Sequence, residues 1–170
     1  MSFNKTNRQI HKWGSIVIAL PFLIVLVTGI LLLLKKELGF IQPPTAIGTT
    51  QVPTLAFEHI LDISKSVKIA EINTWQDVDR LDVRPDKGLV KVRSNNSIEI
   101  QIDTSSGEVL HVAKRNSDFI ESIHDGTFFE KNANLWLMLP MAITMLALVI
   151  TGLVLFFSPY IKNRKKRMTR

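Results

Sequence analysis

The sequence predicts an α+β fold in which two transmembrane helices flank a small extracytoplasmic domain, itself a helix packed on an antiparallel sheet. Residues 14–34 and 135–157 contain no charged side chain. At a rise of about 1.5 Å per residue, each run is long enough to cross the hydrocarbon core of a bilayer, which is about 30 Å thick. The residues between the two runs have the composition of a soluble domain and show strand-like alternation of apolar and polar residues.

The distribution of charge predicts which side of the membrane each segment faces. The chain has 170 residues and a net charge of +6. All charged residues in the segments 1–13 and 158–170 are basic, whereas acids outnumber bases between them. Cytoplasmic flanks of membrane helices are enriched in Lys and Arg, so we expect both termini to be cytoplasmic and residues 35–134 to be extracytoplasmic. The C-terminal basic tail then meets anionic lipid headgroups, which accounts for the charge without nucleic acid binding.

Several missing features restrict the chemistry. The chain contains no cysteine, which excludes thiol catalysis, thiolate metal sites, disulfides and covalently attached c-type haem. The absence of charge from both spans argues against an ion- or proton-coupled transporter. The sequence also has no phosphate-binding loop and no dinucleotide fingerprint. We therefore predict no self-contained catalytic site.

The chain divides into seven consecutive segments. These are a cytoplasmic basic tail (1–13), the first transmembrane helix (14–34), a linker (35–52), a soluble domain (53–115), a short interfacial helix with a loop (116–134), the second transmembrane helix (135–157) and a second cytoplasmic basic tail (158–170).

Within residues 53–115 the pattern changes from helical to strand-like. Apolar residues recur at helical spacing over 53–67, with Pro53 at the favourable first position of a helix. Four alternating runs follow, separated by turns: 80–84, 89–93, 98–102 and 108–112. We expect an antiparallel meander with one face under the helix and the other face in water. Asp82 and Arg84 are then expected to form ion pairs across strands on the solvated face.

A further short helix is predicted between the soluble domain and the second span. Asp118-x-x-Glu121 has the form of a capping box, which predicts that the helix begins at Asp118. Apolar residues around His124 suggest that this helix lies along the outer surface of the membrane.

Five stretches resemble one known family. Residues 100–110 resemble the strand–turn–strand ending of a PepSY domain. Arg8-x-x-His11-x-Trp13-Gly14, followed by Thr28-Gly29-Ile30-Leu31, resembles the first helix of PepSY-associated transmembrane proteins. Residues 123–128, Ile-His-Asp-Gly-Thr-Phe, followed by residues 151–155, Thr-Gly-Leu-Val-Leu, resemble their second signature. The soluble domain is therefore expected to be PepSY-like, and the chain resembles a two-span form of a family whose larger members have four or more spans.

The resemblance implies a location in the bacterial inner membrane and two alternative functions. Some larger members are associated with iron uptake and resemble ferric-siderophore reductases that carry b-type haem between membrane histidines. The first function is therefore a haem-b electron-transfer subunit, linked to reduction of ferric iron or a siderophore, with its electron donor on another chain. The second is a non-catalytic binding or regulatory module, in which the PepSY domain docks a periplasmic partner or a membrane complex.

His11 and His124 are the haem ligands that the resemblance implies. On a helix, Ser15, Ile18 and Phe22 lie close to the face of His11, and small residues there allow another helix or a flat cofactor to approach. The predicted topology puts the two histidines on opposite sides of the membrane, so one copy cannot hold one haem with both. A homodimer supplies paired His11 near the cytoplasm and paired His124 near the outside, with imidazole as the axial ligand. The alternative for each histidine is an interfacial hydrogen-bonding group.

Overall fold

The computed structural model describes the backbone of residues 3–168 and the side chains of residues 5–160. The described chain forms two compact units: one runs up to Ile30 and resumes at Glu121, and the other is Leu31–Ile120. The basic side chains of residues 161–170, which we expect at the cytoplasmic surface, lie outside the described residues.

Two long helices dominate the first unit. Helix α1 spans Phe3–Leu33, and helix α4 spans Leu139–Met168 after one turn of π-helix at Asn134–Met138. Both are long and apolar enough to cross a membrane. Large apolar side chains along them are exposed, as expected for residues that face lipid, among them Val17, Leu20, Ile143, Leu146 and Phe156. Helix α1 begins inside residues 1–13, the segment predicted to be the N-terminal tail, so the basic residues of that segment are part of the helix.

The second unit contains the predicted antiparallel meander. Helix α2 (Phe57–Ser66) is followed by strands β1 (Val78–Arg84), β2 (Leu89–Ser94), β3 (Ile98–Asp103) and β4 (Val109–Lys114). The strands form one sheet in the order β1-β2-β3-β4, with every neighbouring pair antiparallel. Helix α3 (Asn116–Asp125) then carries the chain into the first unit. The α+β prediction is confirmed.

The hydrophobic core lies between α2 and one face of the sheet. Its buried members are alternate residues of the two central strands, one residue of α2 and two residues of the segment that follows α2: Val90, Val92, Ile98, Ile100, Ile102, Ile60, Ala70 and Ile72. This period of two is the signal that identified the strands in the sequence.

Helix α2 begins at Phe57, not at Pro53 as predicted. The backbone N–H groups of Thr54 and Leu55 both donate to the carbonyl oxygen of Thr104, at 2.9 and 3.0 Å. These bonds hold the residues after Pro53 in an extended conformation beside the β3–β4 turn. The chain can turn into a helix only after this attachment.

The expectation of a solvated second face is wrong for the central strands. All six residues of β3 are buried, including Glu99, Gln101 and Asp103 on the face away from the hydrophobic core. Residues 41–50, which we call the strap, cover this polar face. The Gln101 side-chain amide donates to the carbonyl oxygen of Pro44 at 2.8 Å and accepts from the N–H of Ala46 at 2.7 Å. Gln101 thus pairs with the strap as the backbone of a neighbouring strand would.

Asp103 fixes the far end of the strap. Its carboxylate accepts hydrogen bonds from the N–H groups of Ser105 and Ser106 and, at 2.6 Å, from the N–H of Thr49. These bonds, led by the one from Ser106, lower the pKa of Asp103 well below its usual range, despite the opposing effect of burial. The side chain therefore joins the strap to the turn after β3 as long as it stays ionised.

A charged cluster is buried beneath the same cover. Glu99 accepts from Nζ of Lys91 at 2.9 Å and from Nε2 of Gln101 at 2.8 Å, while its other oxygen accepts from Arg115. The side chains of Lys91, Glu99 and Arg115 are almost completely buried. Arg115 also donates from Nε to Asp118, at 3.0 Å. Because every ion has a partner, the cost of removing these charges from water is offset.

Two smaller expectations also change. Helix α3 begins at Asn116 rather than Asp118, because the Asp118 carboxylate is held by Arg115 instead of opening the helix. Arg84 pairs with Asp82 of its own strand, at 2.8 Å, rather than with a neighbouring strand.

Removal of the charge at Glu99 is expected to destabilise the soluble domain strongly. Glu99→Gln keeps the shape of the side chain but leaves Lys91 and Arg115 buried without their shared anion, which costs about 3–5 kcal/mol. Hydrogen exchange of the β2 and β3 amides in the full-length protein measures the change. The exposed Glu108→Gln is the matched control and should leave exchange unchanged. Equal protection in both variants would contradict the assignment of Glu99 as the centre of the cluster.

The contribution of Asp103 is expected to depend on pH. Since its pKa is lowered in the folded state, the stabilisation is fully present above the unfolded value of about 3.9 and is lost as the pH falls below it. The melting temperature of Asp103→Asn should therefore lie below that of the wild type at neutral pH, and the difference should shrink in acid. The exposed Asp79→Asn controls for loss of one charge. A difference that stays constant from neutral pH to about pH 2 would refute this role.

Candidate functional site

Helices α1 and α4 run antiparallel and contact each other between residues 7–22 of α1 and residues 145–153 of α4. Near the start of α1, Nδ2 of Asn7 donates to the carbonyl oxygen of Thr151 at 3.3 Å. Further along, Gly14 packs against the side chain of Leu148. Residue numbers therefore rise along α1 as they fall along α4, which fixes the direction and register of the pair.

His11 contacts α4 through a hydrogen bond and a close ring contact. Its Nδ1 lies 2.9 Å from the hydroxyl oxygen of Thr151. The ring covers Gly152, where an added Cβ would lie 3.1 Å from Cε1 of the imidazole. Thr151 supplies the polar contact, and Gly152 supplies the space for the ring.

His124 makes the same pair of contacts with α1. Its Nδ1 lies 3.0 Å from the hydroxyl oxygen of Thr28. A Cβ at Gly29 would lie 3.2 Å from Cε1 of this ring. The Thr-Gly pair of each span therefore receives the histidine that precedes the other span, and the two contacts are reciprocal.

The sequence motifs include both histidines and both Thr-Gly pairs, but they do not predict which histidine contacts which pair. The sequence predicts that the helix of His124 lies along the outer surface of the membrane, and the structure adds that His124 contacts the Thr-Gly pair of α1. The signal was present in the repeated order of a histidine, then an apolar run, then Thr-Gly. Antiparallel packing of two such segments places each histidine beside the other segment's Thr-Gly pair.

A groove of about 470 Å³ opens beside His11 between the two helices. Ser15, Ile18 and Phe22, the residues predicted to share the face of His11, line it. Met145, Leu148 and Gly152 contribute to the wall from α4. The groove is thus apolar apart from His11 and Ser15, with small residues beside the imidazole.

The two histidines remain far apart. From His11 to Thr28, which contacts His124, α1 rises roughly 26 Å at 1.5 Å per residue. Nε2 of neither ring has a hydrogen-bond partner among the described residues. In the same part of the chain, no group of three or more His, Cys, Asp and Glu side chains could hold a metal ion. Each end of the helix pair therefore offers one imidazole nitrogen.

Comparison with protein families decides the relationship suggested by these motifs. The model of the PepSY-associated TM region matches residues 8–170, nearly the entire chain. The protein belongs to this family. The match supports a membrane protein whose two long helices lie in a lipid bilayer. Comparisons with curated proteins and with solved structures find no match.

The two inter-helix glycines are expected to tolerate alanine poorly. In Gly29→Ala and Gly152→Ala the new methyl group pushes against an imidazole that is also held by a threonine. We expect crowding to offset the gain of about 1 kcal/mol in helix propensity and to destabilise by about 1–3 kcal/mol. Thermal unfolding in detergent measures the balance.

Gly14→Ala is the matched control for this experiment. Its methyl group meets the end of the Leu148 side chain, which can turn aside, so the variant should be neutral or stabilised. The same response at all three glycines would contradict a specific role for the histidine contacts.

Proposed function

We propose that this membrane protein is a haem-b electron-transfer subunit of the bacterial inner membrane, linked to reduction of ferric iron or a ferric siderophore. The observation that carries the proposal is the state of the two imidazoles. Each is held through Nδ1 by a threonine of another helix, while Nε2 has no hydrogen-bond partner among the residues that the structure describes. Histidines that bind metals are usually oriented in this way, with the second ring nitrogen engaged by the protein.

The residues around His11 fit a flat macrocycle. The groove is almost entirely apolar, is open rather than enclosed and has small residues next to the ring. Apolar surroundings favour insertion of a hydrophobic porphyrin and raise the cost of exposing iron to water. A bound b-haem would supply reversible one-electron chemistry; His11 and His124 would supply axial nitrogens.

The distance between the histidines determines the stoichiometry of the proposal. Because they lie far apart, one copy of the chain would offer a single histidine to each haem. A second copy would complete each site with the equivalent histidine. In such a homodimer the paired His11 and the paired His124 would each hold one haem, and the two haems would supply one-electron chemistry on the two sides of the membrane.

The charge distribution gives this path a direction. Lys5, Arg8 and Lys12 accompany His11, so that end of α1 is proposed to be cytoplasmic. The soluble unit then lies outside the cytoplasm. In this orientation His11 would face an electron donor on another chain, and His124 would face the acceptor, ferric iron. The chain is thus proposed to be a subunit of a reductase and to bind the acceptor or a partner with its outer domain.

The visible spectrum of the purified full-length protein tests the proposal. A Soret band, with sharp α and β bands after reduction by dithionite, is expected from bis-histidine haem. His11→Ala and His124→Ala should each remove about half of the haem, and the double variant should remove all of it. His59→Ala is the control because His59 is exposed on α2.

One outcome of the same measurement would contradict the proposal. Folded, membrane-inserted protein from haem-replete cells that shows no Soret band would rule out the haem function. The alternative function would then be a binding or regulatory module formed by the soluble unit.

A further inference from the structure

The hydroxyl of Thr28 has only one proton, and the structure shows where that proton must lie. The oxygen is 2.8 Å from the carbonyl oxygen of Ile24 and 3.1 Å from that of Val25, on the preceding turn of α1. Two oxygens at such a distance repel each other unless a proton lies between them. The hydroxyl therefore donates to its own helix and has only lone pairs to offer His124.

Thr151 has the same arrangement in α4. Its hydroxyl oxygen lies 3.0 Å from the carbonyl oxygen of Leu148 and donates its proton there. It can then interact with Nδ1 of His11 only as an acceptor. At both ends of the helix pair, the hydrogen bond between threonine and histidine requires a proton on Nδ1 of the ring.

From these two contacts we infer that Thr28 and Thr151 are positioning residues that hold His124 and His11 in the Nδ1–H tautomer and direct the lone pair of Nε2 to a ligand. The tautomer follows from the contacts within the helix pair. The identity of that ligand as haem iron rests on the proposed function.

The glycines complete the control of ring orientation. A hydrogen bond to Nδ1 still allows the imidazole to rotate about the bond, but Cε1 of each ring lies so close to Gly152 or Gly29 that an added Cβ would crowd it, at 3.1 and 3.2 Å. Threonine therefore selects the tautomer, and glycine permits the ring position. The adjacent pair Thr-Gly is needed as a unit, which explains why it recurs in both spans.

Nitrogen NMR of the full-length apo-protein tests the tautomer directly. In protein labelled with 15N-histidine and measured well above neutral pH, Nε2 of His11 and His124 should show the shift of an unprotonated nitrogen. His11→Gln and His124→Gln assign the signals. His59 provides an internal reference from the soluble unit.

Substitution of each threonine by valine or by serine tests whether the hydroxyl group, rather than the shape of the side chain, holds the tautomer. Thr28→Val and Thr151→Val should move His124 and His11, respectively, toward a mixture containing the Nε2–H tautomer. Thr28→Ser and Thr151→Ser keep the acceptor and should retain the wild-type shifts. A wild-type spectrum with Nε2 protonated, or valine variants with unchanged shifts, would overturn the inference.

Haem titration distinguishes this inference from the function on which it builds. If haem binds, each valine variant should lose about 10–100-fold in affinity, as for other groups that orient metal ligands, and serine should restore it. If the tautomers are as inferred but no variant binds haem, the positioning role stands and the haem function fails. If haem binds equally well in the valine and serine variants, the positioning role fails and the haem function stands.

Discussion

The helix pair depends on one constraint: a polar side chain between membrane helices needs a partner, because the hydrocarbon core has no water to offer. Each span meets this constraint with one histidine of its partner segment. His11 is satisfied by Thr151 and His124 by Thr28. The first contact joins α1 to α4 and the second joins α3 to α1, so sliding α1 by one turn would separate both. These hydrogen bonds, together with the one from Asn7 to the carbonyl oxygen of Thr151, are polar contacts between segments that otherwise pack through apolar side chains.

In the soluble unit, polar groups removed from water also need partners, but here the buried groups are charged side chains of a sheet. Its sheet carries charged residues on the face away from the hydrophobic core, and it buries them under the strap rather than leaving them in water. Glu99 balances Lys91 and Arg115, while Gln101 and Asp103 bond to the backbone of the strap. The backbone groups of an irregular segment are thereby satisfied by side chains. This explains how a stretch rich in Pro, Thr and Gly can form an ordered cover.

The spans and strands could be predicted from the sequence alone, but the covered polar face and the contacts of the histidines could not. Uncharged length identifies a span, and alternation identifies a strand, because both signals are local. The burial of Glu99 depends on residues 41–50 and on Arg115, which lie far away in the chain, so alternation suggested a wet face instead. His11 was found through its helix face, and the groove beside it contains the predicted Ser15, Ile18 and Phe22. Its partner Thr151 was missed because periodicity within one helix says nothing about which residue of another helix it meets.

The proposed function requires electrons to cross a membrane through the helix pair, and electron transfer into sealed proteoliposomes measures this. Vesicles containing the full-length protein with haem, and ferricyanide trapped inside, are exposed to dithionite from outside. The account predicts reduction of the trapped ferricyanide at a rate set by the amount of protein, with no reduction beyond leakage for the His11→Ala/His124→Ala double variant. Wild-type vesicles that reduce ferricyanide no faster than those of the double variant would contradict it.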